Sequence, residues 1–185
     1  FANSSRFGPE WNISQEGLKQ PFEISPGVVL APGQYQWGTL GFDYTTDPSE
    51  NITATGRFDF GQFWTGTRNG GSGTLTVRRG ATFSGSLTVD HNDVRLPEGN
   101  FKRTLQAVRL NYFFTPRIFV QTLTQYNNQQ RIWSANVRFG WLNTAGTGLF
   151  VVLNDGREAT DFFRWVRPQQ RSLFVKFTRQ FGTGG

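Results

Sequence analysis

The side chains that most often carry catalysis are scarce in this chain of 185 residues. There is no Cys, and the single His stands in the stretch Asp90-His91-Asn92-Asp93, at the end of a predicted strand. His91 could bind a metal ion with Asp90 or Asp93, but metal sites usually take ligands from more than one local cluster. We therefore interpret His91 as an exposed hairpin residue. A catalytic triad would depend wholly on His91, and no nucleophile motif surrounds it, so we predict no enzyme activity, no bound metal and no cofactor.

Two other kinds of chemistry leave weaker signals. Asp43, Asp59 and Asp90 could converge across strands as acid–base carboxylates, although nothing in the sequence singles them out. The Gly-rich stretches 69–73 and 182–185 lack the Lys-Ser/Thr partner and the following helix of a phosphate-binding loop. We predict that they form a turn and a tail.

Arginine is the abundant charged residue, and its distribution is uneven. Of the 19 basic residues 16 are Arg, and the net charge is +6. Residues 1–50 hold two basic and six acidic side chains, whereas residues 51–185 hold seventeen basic and seven acidic ones. The guanidinium fork suits phosphate, so the pattern fits an Arg-lined lumen or a rim that meets lipid phosphates. A solvated basic surface explains it equally well.

The elements that position these side chains are strands, and residues 131–141 show this most clearly. Successive side chains on a strand point to opposite faces, and apolar and polar residues alternate here from Trp133 onward. The apolar face carries Trp133, Ala135, Val137, Phe139 and Trp141, and the polar face carries Ser134, Asn136, Arg138 and Gly140. Trp settles at membrane–water interfaces, while a packed core excludes unpaired Arg and Asn. Both a soluble sandwich strand and a transmembrane barrel strand satisfy this pattern.

The same alternation recurs between turn signals along the chain, and no helical periodicity competes with it. We therefore predict an all-β, antiparallel, up-and-down β-barrel of the transmembrane outer-membrane type, or the C-terminal part of one, with about eight to ten strands. Residues 34–181 would form the barrel, after an irregular lead-in over 1–33 with one short strand at 21–24, and before a Gly-rich tail at 182–185. A long loop is expected at 155–170. The predicted strands are 34–46, 51–66, 73–79, 82–95, 101–115, 117–127, 131–142, 148–154 and 171–181.

Composition agrees with this prediction. Aromatic residues make up 16% of the chain and charged residues only 17%, with 22 Gly, as suits strands that present rings to lipid and turn sharply. A run of about 18 apolar residues, which a transmembrane helix needs, is missing from the sequence. The chain begins at Phe1 without Met or an apolar leader, so we expect a mature or trimmed product whose signal peptide lies outside it.

A series of motifs in fixed order supports an outer-membrane origin. The motifs are Asn92–Gly99, Val108–Pro116, Gln125-Tyr126-Asn127, Ser134–Phe139, Leu149–Asn154 and Leu173–Phe181, with Gly33-Gln34-Tyr35 and Gly61–Gly66 upstream. The series resembles the C-terminal barrel of a bacterial outer-membrane family of unknown function, most strongly over residues 92–154. Full-length members of that family often carry an N-terminal domain similar to family 9 carbohydrate-binding modules. That domain is missing from this sequence, so the resemblance implies no sugar function, and the larger size of the family's barrels implies that this chain could be part of one.

The end of the chain resembles the terminal signature of outer-membrane barrels, which the barrel-assembly machinery reads. Leu173, Val175, Phe177 and Phe181 fit the alternation toward a terminal aromatic residue. Arg179 and the Gly-rich tail depart from it. The resemblance implies a Gram-negative outer-membrane location, with lipid and the assembly machinery as partners.

The expected function is that of a non-enzymatic, porin-like pore, conduit or membrane anchor. The lumen-facing candidates are Arg109, Arg117, Arg138, Asn136, Gln121 and Gln125, and the interface aromatics are Trp133, Trp141, Phe139, Tyr112 and Tyr126. One alternative is a soluble β-barrel that binds a small ligand or a carbohydrate. A second is a basic, aromatic nucleic-acid-binding protein, but the rings share faces with Val and Leu, so no nucleic acid is expected.

Closure of the barrel makes a further demand on the sequence. Because unpaired backbone groups cannot face lipid, residues 171–181 need a partner strand. The candidates within the chain are residues 34–46 and 21–24. The remaining candidate is a strand supplied by another polypeptide.

Overall fold

The structure, a computed structural model, describes residues 4–143 and 147–179. These residues form an all-β protein, and they contain no helix long and apolar enough to cross a membrane. The strands are β1 (Arg6–Leu18), β2 (Phe22–Ser25), β3 (Val28–Leu30), β4 (Gly33–Thr45), β5 (Ile52–Phe63), β6 (Gly66–Arg79), β7 (Phe83–Leu96), β8 (Gly99–Thr115), β9 (Ile118–Asn127), β10 (Ile132–Leu142), β11 (Gly148–Asp161) and β12 (Arg164–Thr178).

Ten strands form one antiparallel, up-and-down sheet in the order β1-β4-β5-β6-β7-β8-β9-β10-β11-β12, and β2 and β3 form a separate hairpin. The predicted fold class is therefore confirmed at the level of an antiparallel, up-and-down all-β sheet. Within the residues described, no ladder joins β1 to β12, so these two strands are the edges of the sheet.

Two predicted irregular segments are strands, and both predictions were wrong for the same reason. The lead-in 1–33 contains β1, β2 and β3, and the expected loop 155–170 is mostly the continuation of β11 and the start of β12. Pro9 and Pro168 discouraged a strand assignment, because Pro cannot donate to a ladder. Both prolines lie on edge strands, where one side of the backbone needs no partner. Three register shifts between Gly156 and Asp161 further obscure the alternation.

The expected partners of the last strand are also corrected. Strand β4, which corresponds to the predicted 34–46, pairs with β1 on one side and β5 on the other. Residues 22–25 pair with β3. Neither segment is paired with β12, since an unpredicted first strand, β1, takes the edge position that sequence analysis assigned to 34–46.

The chain divides into two compact units. The first comprises Phe1–Leu75 and Val89–Thr104, and the second comprises Thr76–Thr88 and Leu105–Gly185. In the first unit, Val28 and Leu30 of the β2–β3 hairpin pack against Val94 and Leu96. In the second unit, Tyr126, Trp133 and Ala159 form a small core where β11 and β12 extend.

Candidate functional site

In the second unit the ladders align residues of one parity into rows, because directly opposite residues share a face of the sheet. Arg138 of β10 lies opposite Gln121 of β9, which lies opposite Asn111 of β8. Asn136 lies opposite Asn154, and Asn154 in turn lies opposite Ser172. We call the surface formed by these rows the polar face.

Side-chain hydrogen bonds run across the polar face of the second unit. Asn136 Nδ2 donates to Asn154 Oδ1, and Asn154 Nδ2 donates to Ser172 Oγ at 3.2 Å. Asn111 Nδ2 donates to Ser84 Oγ at 3.0 Å. These amides hold one another in place and keep the face hydrophilic.

The opposite face of the second unit is apolar. The predicted strand alternation on β10 is confirmed, since Phe139 lies opposite Val120 and Val151, and Val137 lies opposite Leu153. Two complete rows of this apolar face are Tyr112–Val120–Phe139–Val151–Val175 and Leu110–Thr122–Val137–Leu153–Leu173.

The first unit has the same two-sided character. On its apolar face Trp11 lies opposite Leu40, which lies opposite Phe60, and Phe42 lies opposite Phe58. Phe42 stacks on Phe60 with ring centroids 6.1 Å apart. Trp11 is 64% exposed and Phe58 is 69% exposed, so these rings meet the surroundings rather than a core.

The polar face of the first unit is built around one guanidinium. Arg57 Nη1 lies 2.7 Å from Glu10 Oε2 and 3.3 Å from Asp43 Oδ2, and Arg57 Nη2 lies 2.9 Å from Asp59 Oδ1. Asp43 and Asp59, whose convergence the sequence left possible without singling it out, do meet at Arg57, and Asp90 stands apart, accepting a hydrogen bond from Asn92. The cation occupies the space between the carboxylates, which makes this an ion-pair network rather than a pair of acids flanking a substrate.

Glu10 and Arg57 were missed by sequence analysis. A signal existed for Arg57, because it shares strand parity with Asp59. Glu10 gave no signal, since it lies in the segment that was predicted to be irregular.

Arg138 has a different environment, on the polar face of the second unit. Its guanidinium carbon lies 5.0 Å from the ring centroid of Phe150 and 5.9 Å from that of Phe119. Phe119 extends into the space above Gly140, where a Cβ atom would lie 2.3 Å from Phe119 Cζ. Phe119, which interrupts the polar alternation in the sequence, therefore helps to hold this arginine through cation–π contacts.

A cavity of about 520 Å³ opens on the polar face of the second unit. It collects four of the six predicted lumen residues, and its lining is Ser84, Arg109, Asn111, Phe113, Gln121, Thr122, Leu123, Asn136 and Arg138. Gln125 lies further along the same face, in a neighbouring groove with Ser134 and Asn154.

Arg117 is placed elsewhere, so its assignment to the strand surface was wrong. It lies in the turn between β8 and β9, where its backbone N–H donates to Thr115 Oγ1 at 3.2 Å. Sequence analysis began the strand at residue 117, directly after the Thr115-Pro116 turn signal, but β9 begins one residue later, at Ile118.

The expected interface aromatics divide into two groups. Trp141 and Tyr112 are exposed on the apolar face, and Phe139 is partly exposed. Trp133 is only 8% exposed and Tyr126 only 6%, so the prediction that these two rings meet an interface directly was wrong.

The cause is the extension of β11 and β12, which covers this end of the apolar face. The Trp165 ring lies 4.8 Å from that of Trp133, and Arg157 lies over both rings. Tyr126 Oη donates to the Thr160 carbonyl at 2.7 Å. Arg157 and Arg171 also pair with Asp155, at 2.6 and 3.2 Å.

His91 lies against protein groups rather than in a ligand cluster. Its Nδ1 is 2.7 Å from Thr104 Oγ1, while Asp93 pairs with Arg95 and Lys102. Across residues 4–143 and 147–179, no group of three or more His, Cys, Asp or Glu side chains is arranged to hold a metal ion.

The predicted assembly signature lies on β12. Leu173, Val175 and Phe177 are exposed on the apolar face of this edge strand, whereas Phe181 lies outside the described residues. Comparison with known proteins adds no assignment: no family model matches the chain, and neither a curated protein nor a solved structure is similar to it.

Proposed function

We propose that this protein is a non-enzymatic outer-membrane β-barrel protein that acts as a pore, a conduit or a membrane anchor. The observation that carries the proposal is the sidedness of the sheet. In the first unit a face of exposed large apolar side chains lies opposite a face that carries an arginine and carboxylates, and in the second unit a similar apolar face lies opposite one that carries arginines and amides. Lipid on one side and a watery lumen on the other would satisfy both faces.

Strand length supports a membrane-spanning role. The shortest strand of the large sheet is β9 with 10 residues, and the longest is β8 with 17. A tilted strand needs about 9–11 residues to cross the hydrocarbon core, whereas strands of soluble proteins average about 5–6 residues. Every strand of the large sheet is therefore long enough to cross.

Exposure supports the same proposal. Scattered exposed apolar residues are ordinary on a soluble protein, but contiguous patches mark contact with another apolar phase. The row Trp11–Leu40–Phe60 and the row Pro9–Phe42–Phe58 adjoin each other on the first unit. Lipid is the partner that accounts for a similar surface on the second unit as well.

Phe58→Arg tests the proposal, with Thr55→Arg on the polar side of the same strand as the matched control. On a lipid-facing surface Arg weakens folding into a bilayer by about 2–4 kcal/mol at the midplane and by less toward the interfaces. We expect Phe58→Arg to lower the free energy of folding into phosphatidylcholine vesicles, measured by urea titration, and Thr55→Arg to change it little. If the protein folds in detergent-free buffer and Phe58→Arg leaves it as stable as the parent, the membrane proposal is wrong.

Pore activity is separable from insertion. The arginines of the polar face would favour anions, so planar-bilayer recordings should show anion-selective conductance. Insertion without conductance would leave the anchor function, and a cation preference would count against a lumen lined by Arg109 and Arg138.

The two edge strands, β1 and β12, raise the question of which strand pairs with β12 in the membrane. A lipid-facing edge needs a pairing strand, and we propose that β12 pairs either with β1 or with a strand of another polypeptide. Cys introduced at Val175 and at successive positions of β1 would distinguish the two. Intrachain disulfides would show self-closure, and their complete absence alongside efficient insertion would indicate a partner chain.

A further inference from the structure

The cavity on the polar face of the second unit contains two arginines without an acidic partner. No carboxylate lies within 4.0 Å of Arg109 or Arg138 among the described residues. By contrast, Arg57 and Arg157 each form an ion pair with a neighbouring carboxylate. In the part of the chain that the structure describes, no ion pair therefore compensates the positive charge of this cavity.

Arg138 is held in a way that leaves its hydrogen-bonding edge available. The rings of Phe119 and Phe150 meet its guanidinium from the two adjacent strands. Such contacts engage the π faces of the rings and use none of the five N–H groups that can bind an oxyanion in a fork. The arginine is thus oriented before any ligand arrives, which reduces the entropy lost on binding.

Arg109 lies on the other side of the same cavity. It is opposite Leu123, and Leu123 is opposite Asn136, so Arg109 and Arg138 are two strands and two residues apart. Strand spacing and rise place their Cα atoms about 12 Å from each other, a separation that two arginine side chains can bridge around one small anion.

The other residues that line the cavity place neutral polar groups and an apolar surface beside the two arginines. Gln121 and Asn136 provide neutral donors and acceptors, and Phe113 and Leu123 provide an apolar surface in the same cavity. Ligand sites commonly combine an apolar wall with a few polar groups and one charged anchor.

We propose that this cavity binds a small organic oxyanion, a phosphate ester or a carboxylate, with the oxyanion between Arg109 and Arg138 and the organic body against Phe113. The inference rests on the proposed function for its setting, a water-filled lumen. The binding itself is measurable without a bilayer, so its failure is distinguishable from failure of membrane insertion.

The test is calorimetric titration of the full chain in neutral detergent micelles with phenyl phosphate, benzoate, inorganic phosphate and benzyl alcohol. We expect phenyl phosphate or benzoate to bind, inorganic phosphate to bind more weakly, and benzyl alcohol not to bind. Hydrogen bonds to charged groups contribute about 1.5–3 kcal/mol, so Arg138→Gln and Arg109→Gln should each weaken binding by roughly tenfold or more. Arg138→Lys keeps the charge but loses the fork and should fall between parent and Arg138→Gln.

Arg117→Gln is the matched control, because it removes the same charge from a turn outside the cavity. Equal losses from Arg117→Gln and Arg138→Gln would reduce the effect to net charge and overturn the site. Absence of binding by both organic anions to protein that inserts normally into vesicles would overturn the inference and leave the proposed function intact. Equal binding of inorganic phosphate and phenyl phosphate would overturn the role given to Phe113.

Discussion

The polar faces of the two units use the same residue type in opposite ways. Arg57 in the first unit is surrounded by Glu10, Asp43 and Asp59, whereas Arg138 in the second unit is held by two phenyl rings. In both units a glycine makes room for the arrangement. A Cβ at Gly41 would lie 3.3 Å from Arg57 Nη2, and one at Gly140 would lie 2.3 Å from Phe119 Cζ. Cross-strand neighbours therefore decide whether an arginine is a structural cation or one that remains open to a ligand.

Replacing each of the two arginines in turn should give the largest difference in stability between the two units. Arg57→Gln leaves three clustered carboxylates without their cation, so we expect a loss of about 2–3 kcal/mol in the free energy of unfolding, reduced from a fully buried case by partial solvation. Arg138→Gln loses only cation–π contacts and should lose no more than about 1 kcal/mol. Urea unfolding in detergent micelles measures both, and equal losses would contradict the comparison.

Filling the two glycine positions should give the next largest effect. Gly140→Ala forces the Phe119 ring away from its position, which we expect to lower the free energy of unfolding by about 1–2 kcal/mol. Gly41→Ala meets Asp59 Oδ1 at 3.0 Å, a contact that a small side-chain movement relieves, so its effect should be smaller. A larger loss from Gly41→Ala than from Gly140→Ala, measured in the same titration, would reverse this ranking.

Placing a carboxylate beside Arg138 should give this arginine an ion pair like those of Arg57. Gln121 lies directly opposite Arg138, and Gln121→Glu should raise stability by about 0.2–1 kcal/mol through a cross-strand ion pair. It should also abolish the binding of phenyl phosphate. Asn111→Glu places the same carboxylate in the same row but one strand further from Arg138, and its stability and anion binding are compared with those of Gln121→Glu. Unchanged anion binding in Gln121→Glu would contradict the claim that the open charge of Arg138 is what the ligand uses.

The smallest effect concerns a carboxylate outside the ion-pair network. Asp47, in the loop after β4, accepts hydrogen bonds from Ser49 Oγ at 2.7 Å and from the backbone N–H groups of Ser49 and Ser4. The bond from the Ser49 hydroxyl, followed by those two backbone bonds, lowers the pKa of Asp47 below its usual value. This stabilisation is present above the pKa of the unfolded state and is lost as pH falls through the lower folded value.

Asp47→Asn should therefore lower the free energy of unfolding slightly at neutral pH and change it little at acid pH, which flattens a small part of the acid limb of the stability curve. Unfolding titrations of parent and variant from neutral to acid pH would measure the difference. A variant that keeps the full acid dependence of the parent would show that Asp47 does not contribute.

Alternation alone was sufficient to find part of the candidate site. The strand pattern of β10 placed Asn136 and Arg138 on one face, and the same pattern on β8 and β9 placed Arg109 and Gln121 there. The cavity that joins these four residues follows from the register of the ladders. Register depends on where each hairpin turns and where each bulge falls, and Arg117 was misassigned because the turn ends one residue later than the Thr115-Pro116 signal suggested.

The sequence by itself determined that this protein is an antiparallel sheet with one apolar and one polar face, because side-chain direction on a strand has a period of two residues. Only the tertiary structure decided which side chains meet across that sheet. Glu10 and Arg57 are 47 positions apart. Trp133 is buried by Trp165, which lies in a strand that the sequence predicted to be a loop. Such contacts are set by chain pairing over long separations, which local periodicity does not encode.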